Sequence, residues 1–126
     1  MKARLMYVEL KTGHSDDGPA WIGKAFLSKT GKSVYFNGLC FSKHSRGAGN
    51  HYEVLSGDYY WISGIKKNGT NRHWAGTGKI KIDKSVVEEY LEITQYSELP
   101  KSRFVVVDLN NVPAIDLLND IANQKL

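Results

Sequence analysis

The chain has 126 residues, a formal net charge of +4 and a single cysteine, Cys40. That length suits one domain with one core, and a composition of 41% apolar and 24% charged residues excludes a disordered chain. A lone cysteine allows no internal disulfide, and no apolar run approaches the roughly 18 residues of a membrane helix.

The N-terminal stretch has basic residues, but Glu9 and Lys11 interrupt any apolar signal-peptide centre, so the expected location is cytoplasmic. Arg4–Leu10 reads as a first strand, rich in Leu, Tyr and Val. Thr12–Gly18 is turn chemistry throughout. Ala20–Ser28 follows as a strand in which Ile22, Lys24 and Phe26 share one face. Gly23, beside bulky residues, marks a bend or a close backbone contact.

A short turn at Lys29–Lys32 joins this strand to Ser33–Gly38, giving a hairpin. Leu39-Cys40-Phe41 extends the second strand past a kink at Gly38. Ser42–Asn50 is a polar, basic, glycine-rich loop. His51–Leu55 and Tyr59–Ser63 are strands around Ser56-Gly57-Asp58. The strongest hairpin signal is Asn68-Gly69, expected as a type I′ turn within Ile65–Trp74. Lys79-Ile80-Lys81-Ile82 alternates, with both isoleucines inward.

Asp83 is expected to cap a helix over Lys84–Thr94. There Val86, Val87, Tyr90, Leu91 and Ile93 form the inner stripe, and Glu88, Glu89 and Glu92 lie outside. Arg103–Asp108 is a β-branched strand, and Pro113 opens a second helix lined by Ile115, Leu118, Ile121 and Ala122. The expected fold is mainly β: a strongly bent antiparallel sheet or small open barrel of about five to seven strands. One short helix follows Asp83, and a C-terminal strand and helix close the chain. Residues 1–96 form the β unit, and 97–126 an appendage packed on it within a single domain.

Two stretches carry a resemblance. Ile22-Gly23-Lys24-Ala25-Phe26-Leu27-Ser28-Lys29-Thr30-Gly31 and Tyr60-Trp61-Ile62-Ser63-Gly64-Ile65-Lys66-Lys67-Asn68-Gly69, with Ile82-Asp83 and Glu88-Glu89-Tyr90, are in the order found in a family of short bacterial proteins of unknown function. The chain resembles that family over roughly residues 3–95. It departs from the pattern at Asn71-Arg72-His73-Trp74, where the family has an acidic-Arg-Leu-aromatic segment. Some members go under the name 1-deoxy-xylulose-5-phosphate synthase, an activity that needs large thiamine-diphosphate domains and has no room here. The resemblance implies a fold and no activity.

Charge is distributed unevenly. Residues 24–84 hold eleven Lys and Arg against Glu53, Asp58 and Asp83. Residues 85–126 hold three Lys and Arg against seven acids. A basic β surface suits an anionic partner, with nucleic acid ahead of an acidic protein. The candidate anion-binding residues are Lys66, Lys67, Arg72, Lys79, Lys81, Trp74, Lys43 and Arg46. Tyr59, Tyr60, Trp61 and Trp74 are candidates for stacking on unpaired bases. The alternative is a protein-interaction or structural module whose lysines serve solubility.

A third reading is a metal-independent nuclease using His44, His51 or His73 with Lys67 or Arg72, though no spacing pairs these residues. Cys40, His44 and His51 lack the paired ligands of a structural zinc site, and no loop has a phosphate or dinucleotide pattern. No cofactor, metal or catalytic residue is assigned, and the chain is not expected to be an enzyme.

Overall fold

The computed structural model describes residues 2–12, 18–72 and 78–110. The expected helix after Pro113 lies outside them, as do His14, His73 and Trp74. Eight strands form one sheet: β1 (Lys2–Leu10), β2 (Ala20–Leu27), β3 (Ser33–Phe36), β4 (Leu39–Lys43), β5 (His51–Glu53), β6 (Tyr59–Gly64), β7 (Ile80–Asp83) and β8 (Phe104–Val107). A 3-10 turn (Lys84–Val86) and the helix α1 (Val87–Thr94) separate the last two strands.

The first six strands close on themselves. Each pairs antiparallel with the next, and β1 then pairs antiparallel with β6 from Met6↔Gly64 to Leu10↔Tyr60. The result is a closed six-strand antiparallel barrel, with β7 and β8 added in parallel outside it. Closure removes the edges of the six-strand meander, and among the described residues β8, paired only with β7, is the edge of the sheet.

β2 forks to make this possible. Phe26 and Leu27 pair with β3, whereas Ala20–Ile22 pair with β7. Gly23 sits at the fork. A Cβ there would meet Phe36 Cε1 and Leu109 Cδ1, each at 2.9 Å, so the close approach expected at this glycine is real.

Side-chain alternation sends β1 into two cores. Met6 and Val8 point into the barrel with Ala25, Val34, Phe36, Phe41, Tyr60 and Ile62. Leu5 and Tyr7 point outward, under a layer made of Ile22, Ile80, Ile82, Val86, Tyr90 and Phe104. α1 supplies Tyr90, whose ring centroid lies 5.5 Å from that of Phe104. Burial pushes the Tyr90 hydroxyl up to about 12, with Tyr96 adding and Arg103 opposing. Phe104 of β8 belongs to this second core, so residues beyond 97 complete the same sheet.

Three local expectations need correction. The two-residue type I′ hairpin is at Asn37-Gly38, between the paired Phe36 and Leu39; both residues have positive φ, 50° and 77°. Gly38 is therefore a turn and not a kink. Of Asn68-Gly69 only Gly69 has positive φ, the turn closes from Gly69 N–H to the Lys66 carbonyl, and among the described residues no strand follows until Ile80. Asn71 explains why: its side chain donates to the Gly64 carbonyl and accepts from Lys66 N–H, holding the chain as a loop.

The third is Asp83, which occupies the cap position without capping. Its carboxylate instead accepts from the Ser85 hydroxyl at 2.7 Å and from Leu109 N–H at 3.3 Å, stitching β7 to the chain beyond β8.

Positive φ at Gly38 gives a direct test. Gly38→Ala should lower the unfolding free energy by about 1 kcal/mol in urea titrations, since an L-residue is strained there. Asn110 Nδ2, 2.9 Å from the added methyl, would also have to move.

Candidate binding face on the barrel wall

β5 and β6 pair His51 with Tyr60 and Tyr52 with Tyr59. Alternation from that register turns His51, Tyr60 and Ile62 inward and Tyr52, Tyr59 and Trp61 outward. The inward set is buried, and Tyr60 meets Phe41 edge to face at 4.8 Å. The outward rings remain 36%, 43% and 42% exposed, a row of three aromatics across two adjacent strands. Val54 and Leu55 continue it into the β5–β6 turn, with Leu55 81% exposed.

The strip is held rigidly from behind. The Asn50 side chain bonds both the carbonyl and the N–H of Ile62 at 2.8 Å, extending the β5–β6 ladder by one step. Its Oδ1 also meets His51 Nδ1 at 2.8 Å. Since Oδ1 can only accept, His51 donates and carries its proton on Nδ1. Burial, with Lys43 and His44 nearby, lowers the His51 imidazole to about 4. The buried Glu53 carboxylate ties down the following turn by accepting from Leu55 N–H and Ser56 N–H. Burial first, then Asp58 and Glu53, raises the Tyr60 hydroxyl above its ordinary range.

One edge of the strip is the loop after β4. His44 lies against Tyr52 and Tyr59 with its ring tilted by 51° and 43°, centroids 5.9 and 5.0 Å away. Gly47 lies on the Tyr59 ring. Lys43 and Arg46 are exposed here. Opposite, Trp61 pairs across to Glu9 on β1.

Glu9 is buried, yet its carboxylate is well supplied. It accepts from the Tyr7 hydroxyl and from Lys11 Nζ at 2.7 Å, and Arg72 Nη1 lies 3.7 Å away. The acid bordering the aromatic strip is thus neutralised by two cations.

The seven sequence candidates among the described residues are spread over the end of β4 and its loop, the turn after β6, the buried Arg72 and β7. Arg46 is exposed in the loop edging the aromatic strip, whereas Lys43, exposed at the end of β4, pairs with the inward-facing His51 and not with Tyr52. Lys66 and Lys67 are exposed in the turn after β6, whose tip is pinned where the Tyr96 hydroxyl donates to the Asn68 carbonyl at 2.9 Å. Lys79 and Lys81 are exposed at β7, outside the barrel beyond β2, and the Lys81 ammonium lies 5.6 Å from the Trp21 ring centroid.

Arg72 is a correction. It is only 4% exposed, donates to the Gly18 carbonyl at 2.6 Å and faces Glu9, because a buried carboxylate draws a cation inward. Trp74 lies outside the described residues.

Tyr60 is likewise removed from the stacking candidates, being core. Tyr52 takes its place, a residue that sequence reasoning missed. Carrying the alternation of Tyr59-Tyr60-Trp61 back through the tight turn would have found it. Among the described residues no three of His, Cys, Asp and Glu gather as metal ligands, and no helix is long and apolar enough to cross a membrane. No family model, curated protein or solved structure matches this chain.

Proposed function

We propose that this protein binds single-stranded nucleic acid on the outer face of β5 and β6. The observation that carries the reading is the row of Tyr52, Tyr59 and Trp61, three exposed rings set side by side on a stiff barrel wall. Bases splayed from an unpaired strand stack on such rings whatever their identity. A base-paired duplex hides those faces and is a poor ligand for the same surface. Arg46, in the loop at that edge, and Lys43, at the end of β4, supply the nearby positive charge for the phosphates.

An acidic protein is second as a partner, because it would need cations more than rings. Membership in the family of short bacterial proteins, and a reducing cytoplasmic setting for Cys40, belong to the same proposal.

The test is fluorescence anisotropy of a labelled pentathymidylate. Trp61→Ala and Tyr59→Ala should each weaken binding about tenfold, since a base–aromatic stack is worth roughly 1–3 kcal/mol. With two cations engaged, log affinity should fall with log salt at a slope of only about −1.4, and a Lys43→Glu/Arg46→Glu protein should flatten it. Lys66→Glu/Lys67→Glu should change little. Absence of binding by the wild type, or equal binding by the alanine variants, refutes the reading.

One observation favours a second reading, a protein-interaction module: Leu55 and Val54 extend the strip as exposed aliphatic surface. Leu55→Asp separates the two, leaving oligonucleotide binding intact if nucleic acid is the ligand.

A further inference from the structure

His44 stands among the exposed rings with a hydrogen bond still to make. Its Nδ1 accepts the backbone N–H of Arg46 at 2.9 Å. A ring nitrogen that accepts carries no proton, so the neutral imidazole holds its hydrogen on Nε2. Nε2 is buried and has no hydrogen-bond partner among the described residues. A buried donor left unsatisfied costs free energy, which an incoming acceptor returns.

The neighbours of His44 define what that acceptor rides on. Tyr52 and Tyr59 flank its ring, so the group must reach between aromatic faces. A planar ring that stacks on a tyrosine while turning an oxygen toward the imidazole meets both demands. Phosphate and sugar oxygens do not, because neither group stacks.

We infer that His44 reads the ligand, its Nε2–H donating to the carbonyl oxygen of a stacked keto base: thymine, uracil or guanine. This rests on the nucleic-acid reading of the same face. His44 thereby supplies a preference on a face where stacking alone is indifferent to the base.

The experiment compares labelled pentathymidylate with the pentamer of difluorotoluene nucleoside, a ring of the same shape without useful acceptors. Wild type should bind the thymine oligomer roughly fivefold tighter, the worth of one neutral hydrogen bond. His44→Phe, which keeps a ring between the tyrosines and removes the donor, should bind the two alike. A fivefold preference retained in His44→Phe overturns the inference.

Equal binding of both oligomers by wild type, with Tyr59→Ala weakening both, also overturns it while leaving the binding face in place. Failure to bind either oligomer removes both proposals. The wild-type comparison needs no variant, so it decides even if His44→Phe does not fold.

Discussion

Glu9→Ala should lower the unfolding free energy by about 1–3 kcal/mol, because it removes a buried carboxylate that accepts from Tyr7 and Lys11 and lies 3.7 Å from Arg72. Glu9 and Arg72 are respectively 2% and 4% exposed, so water does not replace what the substitution removes. Arg72 would keep its bond to the Gly18 carbonyl but lose the Glu9 carboxylate 3.7 Å away. The Tyr7 hydroxyl, in a fully buried side chain, would lose this acceptor as well.

Arg72→Ala should cost a similar amount, and the double variant less than the two losses together, because the partners fail as a unit. Urea unfolding of the four proteins at neutral pH measures this. Additive losses would show that the pair is not coupled.

A second large effect is set by pH. The His51 imidazole is lowered from 6.5 to about 4 by burial first, then by Lys43 and His44. The folded protein therefore resists taking up this proton, while the unfolded chain accepts it near 6.5. The associated stability is fully present above pH 6.5 and drains away as pH falls toward 4. Between pH 7.5 and pH 5 the loss assigned to His51 should be about 2 kcal/mol, taking 1.36 kcal/mol per unit below 6.5.

His51→Gln has no titrating ring, so its stability should change less over that interval by this amount. Denaturant titrations of both proteins at the two pH values provide the check. Parallel pH dependence in both would mean that protonation elsewhere is responsible.

What the sequence disclosed depended on whether a pattern was local. The alternation of Ile80 and Ile82 and the inner stripe of α1 both follow from short-range geometry, and both were readable. So was the mainly β architecture, because its strands carry β-branched and aromatic runs between turn residues. The two Asn-Gly pairs show the limit. Each dipeptide suits a type I′ turn, but only at Asn37-Gly38 do both residues take positive φ, with a described strand following that pairs with the one before it. Beyond Asn68-Gly69, Asn71 satisfies the end of β6 with its own side chain.

Asp83 and Arg72 went astray for a related reason. A carboxylate before a helix resembles a cap, and an arginine near a turn resembles surface. Each is claimed by a partner far along the chain: Leu109 for Asp83, and Gly18 with Glu9 for Arg72. The aromatic strip lay between these cases. Parity separated Tyr59 and Trp61 from Tyr60, while the buried member of each pair became known only once the ring of strands had an inside.

Ring closure carries a further consequence, for assembly and for tolerance. Every antiparallel neighbour pair except one joins consecutive strands, so the meander can grow by local zipping. The exception is the β1–β6 seam, where Leu10 meets Tyr60. That seam turns the intervening chain into one closed loop, whose entropic cost rises only by about 0.6 kcal/mol for each doubling of length. Insertions at the rim should therefore be absorbed lightly, whereas a proline on either side of the seam would spring the whole circle open.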